Sequence, residues 1–344
     1  MKTYRLALIG FGNVGQGFAQ ILVERGAWLK EHAELDLVIV AVSDQLKGSL
    51  YDPNGLDPRA LLEAVRTSGR VDAVPAPHHG WDALRTIDEA DADVVIELSY
   101  TDLKTGEPAS THLKRAIQAG RHVITTNKGP IALRYPELKA LADRRGVSIG
   151  VEGTVMSGTP TLGLASDYLV AAGVERIQGI INGTTNDILT QMESGATYAA
   201  ALAEAQAKGY AEADPTGDVE GFDAAGKVVI LANLVMGASL SMADVDRVGI
   251  TGLTPEDIRA AAAAGERWKL IGKVETVEGR VIASVRPTRL PVSHPLASVS
   301  GPTNAITFTT ALLGDVTVVG PGAGRLATGY ALVSDLLALS RHHR

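Results

Sequence analysis

The first half of the chain alternates short apolar blocks with stretches whose apolar residues recur at helical spacing. Each block is closed by glycine or by a polar cluster. This periodicity predicts strands at Tyr4–Ile9, Leu35–Ser43, Ala92–Leu98, His122–Thr125 and Val147–Val151. Between them it predicts helices near Val14–Lys30, Pro58–Ser68, Ser110–Ala119 and Tyr135–Arg145. Strands alternating with helices imply a parallel sheet covered on both faces, and ADVVIEL (Ala92–Leu98), with Val94–Ile96 at its centre, reads as such a buried strand. Residues Gly48–Asp91 read as an elaborated crossover, with His78 and His79 as surface histidines beside two prolines.

Beyond Glu152 the rhythm changes. A small-residue connection (GTVMSGTP, Gly153–Pro160) leads to a helix ending near Ala172. Strands are then predicted at Ile177–Ile181, Trp268–Val274, Arg280–Thr288 and Ala305–Thr310, with helices near Asp187–Glu193 and Tyr198–Lys208. The end, VTVVGPGAGRLATGYALVSDLLAL, is a strand, a glycine-rich turn and an amphipathic helix that reads as returning to the first domain. The expected architecture is therefore α/β. It has a Rossmann-type doubly wound parallel sheet at 1–151, an α+β substrate and dimerisation domain at 152–315, and a returning segment at 316–344.

Composition narrows the function classes. A net charge of −7 disfavours nucleic acid or an anionic membrane as partner. The absence of cysteine excludes disulfides, thiolate metal sites and a cysteine nucleophile. No apolar run approaches the roughly 18 residues needed to span a bilayer, and MKTYRLALIG enters a strand without the shape of a signal peptide. A cytoplasmic protein is expected.

Gly10-Phe11-Gly12-Asn13-Val14-Gly15 lies between the first strand and the first helix. In that context GxGxxG is a dinucleotide fingerprint. The first glycine makes the turn, the second admits a pyrophosphate to the backbone, and the third lets helix and strand pack closely. Asp44 ends the next strand, where an acid takes ribose hydroxyls and favours NAD; Lys47 just beyond could instead pair with the 2′-phosphate of NADP. Both also fit a simple surface turn. Ser99 and Thr101 follow the third predicted parallel strand, and Asn127 and Lys128 the fourth. These are carboxyl ends, where ligands of such sheets bind.

The densest chemistry is EADPTGDVEGFDAAGK (Glu212–Lys227): five acids, then one lysine, then the apolar run VVILANLVMG. Asp223 and Lys227 are four apart and share a helix face, and Asp218 is a candidate N-cap. A solvated helix start is the plain reading, but the apolar continuation draws the carboxylates inward, where acids and lysine must pair. Upstream, Asn182-Gly183-Thr184-Thr185 offers either an N-cap or backbone N–H groups that receive a carboxylate.

GFGNVG, TNKGP, NGTTN, GYAEADPTGDVEGFDAAGK and GPGAG, in that order over nearly the whole chain, resemble the homoserine dehydrogenase family. The resemblance implies NAD(P)-dependent interconversion of homoserine and aspartate 4-semialdehyde. It implies Lys128 and Lys227 as catalytic lysines with Asp223 beside Lys227, Glu212 and Asp218 on the substrate ammonium, and Gly183 and Thr184 on its carboxylate. Gly322 and Gly324 join the cofactor set. It further implies a sodium ion on carbonyls of Glu152, Val155, Ser157 and Thr159, with Met156-Ser157 replacing the commoner Gly-Ala pair. The chain ends at the returning helix, so no regulatory ACT domain is expected; a homodimer is.

The residues agree independently. A hydride arriving at an aldehyde makes an alkoxide that needs a proton donor and positive charge. The sequence leaves the donor open between Lys128 and Lys227; the preferred arrangement has Lys227 donating, oriented by Asp223, with Lys128 near the reacting oxygen. Aspartate-semialdehyde dehydrogenase chemistry requires a thiolate and is excluded. Two alternatives are a dehydrogenase of another small amino or hydroxy acid, and a silent nucleotide-binding regulator.

Overall fold

A computed structural model describes residues 1–342. The chain divides into two compact units: Met1–Gly158 together with the chain from Gly324 onward, and Thr159–Ala323.

The first unit is built on β1 (Lys2–Ile9), α1 (Asn13–His32), β2 (Leu35–Asp44), β3 (Gly48–Tyr51), α2 (Pro58–Ser68), β4 (His78–His79) and α3 (Ala83–Glu89), continuing through β5 (Val94–Glu97), α4 (Ala109–Gln118), β6 (His122–Thr125), α5 (Lys128–Arg145) and β7 (Ile149–Gly150). Its sheet runs β4-β3-β2-β1-β5-β6-β7. The pairs β2–β1–β5–β6–β7 are parallel, as the buried apolar blocks predict, and strand order reverses between β1 and β5. The crossover expected at Gly48–Asp91 instead adds the antiparallel strands β3 and β4 to the edge. His78 is exposed there and stacks on Tyr51, 5.6 Å between ring centres. Phe18, Ile21 and Leu22 of α1 join Leu6, Leu8, Ile39 and Ile96 in one core.

The second unit contains β8 (Val174–Ile180), α6 (Gly183–Glu193), α7 (Tyr198–Ala207), α8 (Thr216–Val219), α9 (Phe222–Val235), β9 (Val245–Arg247) and α10 (Pro255–Ala263), then β10 (Glu266–Val277), β11 (Arg280–Pro291), β12 (Thr303–Thr310) and β13 (Gly314–Pro321). The helix expected up to Ala172 is a π turn, Leu164–Leu169, followed by a 3₁₀ turn, Val170–Ala172. The sheet, β13-β12-β8-β10-β11-β9, is antiparallel except for β11–β9. Gly272 in β10 leaves room for Val228 of α9, whose side chain would lie 2.8 Å from a Cβ there; this seats the apolar side of α9 on the sheet.

The last helix, α11 (Arg325–His342), belongs to the first unit and packs on α1, with Leu332, Val333 and Leu336 in its core. Two glycines permit the approach: a Cβ on Gly17 would sit 2.1 Å from the Arg325 carbonyl oxygen, and one on Gly329 2.6 Å from the Phe18 nitrogen. No helix among the described residues is long and apolar enough to cross a membrane.

Candidate functional site

In the first unit the fingerprint glycines occupy three different environments. Gly10 has φ +107°, and a Cβ there would fall 2.5 Å from the Leu98 carbonyl oxygen, across the point where strand order reverses. Gly15 lies under the turn, its Cβ position 3.0 Å from the Gly10 carbonyl oxygen. Gly12 meets nothing within 4 Å and is the N-cap of α1, so the helix begins with no side-chain cap and no acid in its first turn. Main-chain N–H groups and the positive end of the helix dipole are thereby presented at an open glycine, the requirement for an anion receptor. Phe11 is fully buried; Asn13 and Val14 start the helix beside that opening.

Asp44 is the point where the next strand meets this loop. Its carboxylate accepts from Phe11 N at 2.7 Å and, through the other oxygen, from Leu46 N at 2.9 Å and Lys47 N at 2.8 Å. Burial pushes this carboxyl up, but the N–H donors of Phe11, Lys47 and Leu46 and the Lys47 charge outweigh it and hold it below the usual aspartate range. The surface-turn reading therefore describes real contacts, and the same carboxylate also ties the turn to the glycine loop.

Two loops meet at the carboxyl ends of β5 and β6. Asn127 caps α5, accepting from Gly129 N at 3.1 Å, and donates to the carbonyl oxygens of Ser99 at 3.2 Å and Tyr100 at 2.9 Å. Ser99 Oγ bonds the carboxylate of Glu97, which is fully buried and also meets His112 Nδ1 at 3.2 Å. Thr101 is exposed beyond them. Lys128, expected in a loop, is instead the first residue of α5. Pro130 is compatible with that first turn because the N–H it lacks has no intrahelical partner there.

The second unit gathers the acidic stretch around the start of α6. Asn182 caps that helix: its Oδ1 accepts from Thr185 N at 2.9 Å, while Nδ2 donates to Asp218 at 2.6 Å and Asp223 at 3.0 Å. Lys227 is 8% exposed; its ammonium donates to Asp223 Oδ2 and to the Ile181 carbonyl oxygen, both at 2.7 Å. The lysine and its acid are thus brought inward by the apolar side of α9. Burial raises the Asp218 carboxyl, and the neighbouring Asp223 charge raises it further, against the opposing effects of Asn182, Lys227 and Thr184. A carboxylate in that state gains from a cationic ligand. Thr184 Oγ1 is directed to the Tyr210 carbonyl oxygen at 2.7 Å, and Gly183 opens the helix.

Two expectations need correction here. Asp218 does not cap α9; it sits in the short helix α8, and the cap of α9 is Gly221 at φ +79°. The helix after NGT starts at Gly183 rather than Asp187. Glu212 is exposed, and its carbonyl oxygen accepts from Gln206 Nε2 at 3.0 Å. Asn182, which joins both acids, lies in a stretch singled out from sequence, and the Asn-Gly-Thr-Thr cap pattern was the available signal. Glu97 and His112 carried none.

The turn proposed for sodium has Glu152 and Val155 buried and Ser157 at φ +55°, its hydroxyl 2.8 Å from Thr328 Oγ1. Asp335 of α11 accepts from Glu152 N; burial and then the Glu152 charge raise its carboxyl well above the usual range. The buried Glu152 and the half-buried Asp335 place two acids beside this turn. Thr159 Oγ1 donates to the Pro321 carbonyl oxygen at 3.0 Å, and its side chain lies against Gly320. Gly322 and Gly324 follow on the same turn, Gly324 at φ +132°.

The family model described as "Homoserine dehydrogenase, NAD binding domain" matches residues 10–152, and that described as "Homoserine dehydrogenase" matches residues 160–337. The chain belongs to the homoserine dehydrogenase family. An NAD(+)-dependent homoserine dehydrogenase of Pseudomonas canavaninivorans is 46% identical over 98% of this chain and 96% of its own length. The crystal structure of a putative homoserine dehydrogenase from Archaeoglobus fulgidus is similar at TM-score 0.88 and 36% identity, over 98% of this chain and 99% of that one. A hyperthermophilic archaeal homoserine dehydrogenase mutant in complex with NADPH is similar at TM-score 0.85 and 28% identity, over 99% and 98% of the two chains. The protein is thus an NAD(P)-dependent oxidoreductase of this family.

Proposed function

We propose that the protein interconverts L-homoserine and L-aspartate 4-semialdehyde, with the roles divided between its two halves. The observation that carries the reading is the Lys227–Asp223–Asn182–Asp218 cluster at the start of α6. It offers an ammonium that can give a proton, an acid in want of a cation, and a helix N-terminus for a carboxylate. An α-amino acid with a reducible end matches all three.

A bound nicotinamide cofactor supplies the hydride in the reducing direction. Gly10, Gly12, Gly15 and the start of α1 would receive its pyrophosphate; Ser99, Thr101, Asn127, Lys128, Gly322 and Gly324 would line the rest. Gly183 and Thr184 hold the substrate carboxylate, and Asp218 with Glu212 takes the ammonium. Lys227 spends two donors on Asp223 and Ile181, leaving its third N–H for the substrate oxygen, so it is the preferred proton donor to the alkoxide. Lys128, at the start of α5, is the second lysine assigned to the reaction. Asp44 supports NAD over NADP, in line with the NAD(+) dependence stated for the Pseudomonas relative. A sodium ion on carbonyls of the 152–159 turn, a homodimer and a cytoplasmic location complete the reading.

The test is consumption of NADH and of NADPH, followed by absorbance, with aspartate 4-semialdehyde and pure folded protein. Turnover faster with NADH is expected. No turnover with either cofactor refutes the activity, and a preference for NADPH refutes the role given to Asp44. Repeating the assay with sodium replaced by a bulky organic cation checks the ion; sedimentation at micromolar concentration checks the dimer.

A further inference from the structure

One buried side chain near the cluster has no protein partner. Asn304 of β12 is 0% exposed, and neither its Nδ2 nor its Oδ1 forms a hydrogen bond. A buried amide left with both donor and acceptor unpaired is costly, and such groups in folded proteins are usually satisfied by something.

Its position indicates what. A Cβ on Gly183, the first residue of the eleven-residue helix α6, would come 3.4 Å from Asn304 Oδ1 and 2.6 Å from the Pro302 carbonyl oxygen. A Cβ on Gly322 would fall 2.0 Å from Asn304 Nδ2. Two glycines on separate elements thus give way to the same amide, which lies between the α6 N-terminus and the 320–324 turn. At that helix end the side chain of Asn182 already takes Thr185 N, and its carbonyl takes Asn186 N. The main-chain N–H groups at the mouth are therefore those of Gly183 and Thr184.

We propose that Asn304 reads the head group of the α-amino acid substrate, its Nδ2 donating to the carboxylate held at Gly183 and Thr184 and its Oδ1 accepting from the α-ammonium. A zwitterion satisfies both atoms, whereas a lone anion satisfies only the donor. The amide donates to the carboxylate without adding charge to a site that already holds Lys227, Asp218 and Asp223. Gly322 covers the amide with main chain alone, so no side chain of that turn stands over it. This rests on the activity proposed above.

The test compares wild type with Asn304→Ala and the isosteric Asn304→Asp, measuring KM and kcat for homoserine, Kd for NAD⁺ by protein fluorescence, and melting temperature. The Ki of 3-aminopropan-1-ol, which lacks the carboxylate, is measured on each. Losing hydrogen bonds to two charged groups predicts a rise in KM of about a hundred-fold or more for Asn304→Ala, and Asn304→Asp, which keeps an acceptor for the ammonium but sets like charges together at the carboxylate, should raise KM as well. The cofactor Kd should stay unmoved, and the Ki of the amino alcohol, which loses only its ammonium contact, should rise by less than the KM. An unmoved KM in a folded variant overturns the proposal. So does a parallel rise in the Ki of the amino alcohol, or a KM effect matched by the cofactor Kd. Wild type unable to oxidise homoserine overturns both this role and the activity, whereas normal wild-type turnover with an unmoved variant KM overturns the role alone. If the alanine variant does not fold, Asn304→Asp decides: a wild-type KM there is incompatible with a carboxylate at this position.

Discussion

The glycine-loop region of the first unit and the α6–α9 region of the second, both proposed to receive a charged ligand, are built by different physical means. Around Gly10–Gly15 the work is done by main chain. Glycines open the backbone, a helix begins without a side-chain cap, and Asp44 is spent on three N–H groups of its own turns. Around Asn182 it is done by side chains: two acids and a lysine are linked through one amide and one carbonyl. The carboxylates record the difference. Asp44, bonded by backbone donors, is held low, while Asp218, buried beside Asp223, is pushed up. A backbone-built receptor is insensitive to most side-chain changes but intolerant of a Cβ. A side-chain-built one fails with any single member.

The largest expected break lies in the second region. Lys227→Ala removes the proposed proton donor and leaves Asp223 and Asp218 without their cation, so turnover should fall by about two orders of magnitude or more. Cofactor affinity, measured by fluorescence titration, should persist. Lys128→Ala should lose turnover to a similar extent. Near wild-type rates in either variant would remove that lysine from the reaction.

Next in size is Asp218→Asn. It keeps the shape and the Asn182 contact side but gives up the charge proposed to meet the substrate ammonium. KM for homoserine should rise about ten- to a hundred-fold, with the cofactor Kd unchanged. An equal loss of cofactor affinity would show that the two regions are not independent receptors.

The first region is tested by a pair of glycine changes. Gly10→Ala forces a side chain into φ +107° and against Leu98, and should destabilise the protein by roughly 1–3 kcal/mol or more in thermal melts. Gly12→Ala meets no protein atom within 4 Å, so the fold should stand while cofactor affinity falls. If both variants lose stability alike, Gly12 is serving packing rather than a ligand.

How much of this was legible in the sequence follows from the range of each interaction. Gly10, Gly12 and Gly15 could be read because turn and helix lie next to each other, and Asp223–Lys227 because a four-residue step on a helix is a fixed geometry. The starts of α5 and α6 lie upstream of where the sequence pattern places them, because Gly129-Pro130 and Gly183 look like turn residues. Asn127 and Asn182 act as caps that carry the helix through them. The two-residue strand β4 is too short for any alternation to show. Asn182 meets Asp218 36 positions away, and Asn304 depends on Gly183 across the sheet; neither pairing has a local signature.

The smallest effect is the most specific to the contrast between the two carboxylates. Asp44 has a folded pKa below its unfolded value, so it adds stability above the unfolded aspartate pKa, and that contribution is lost as pH falls through the lowered folded value. Asp218 has a folded pKa above its unfolded value. Its contribution is therefore present below the unfolded pKa and lost as pH rises through the raised folded value. Melting curves across the acid range should separate them. Relative to wild type, Asp218→Asn should be most favoured at neutral pH, where the ionised pair Asp218–Asp223 is relieved, and the advantage should shrink toward acid. Asp44→Asn should be least favoured at neutral pH and converge on wild type in acid, since its stabilising charge is by then neutralised in both. Parallel slopes for the two variants would mean that the two sites treat a carboxylate alike, and the distinction between main-chain and side-chain construction would have no energetic content.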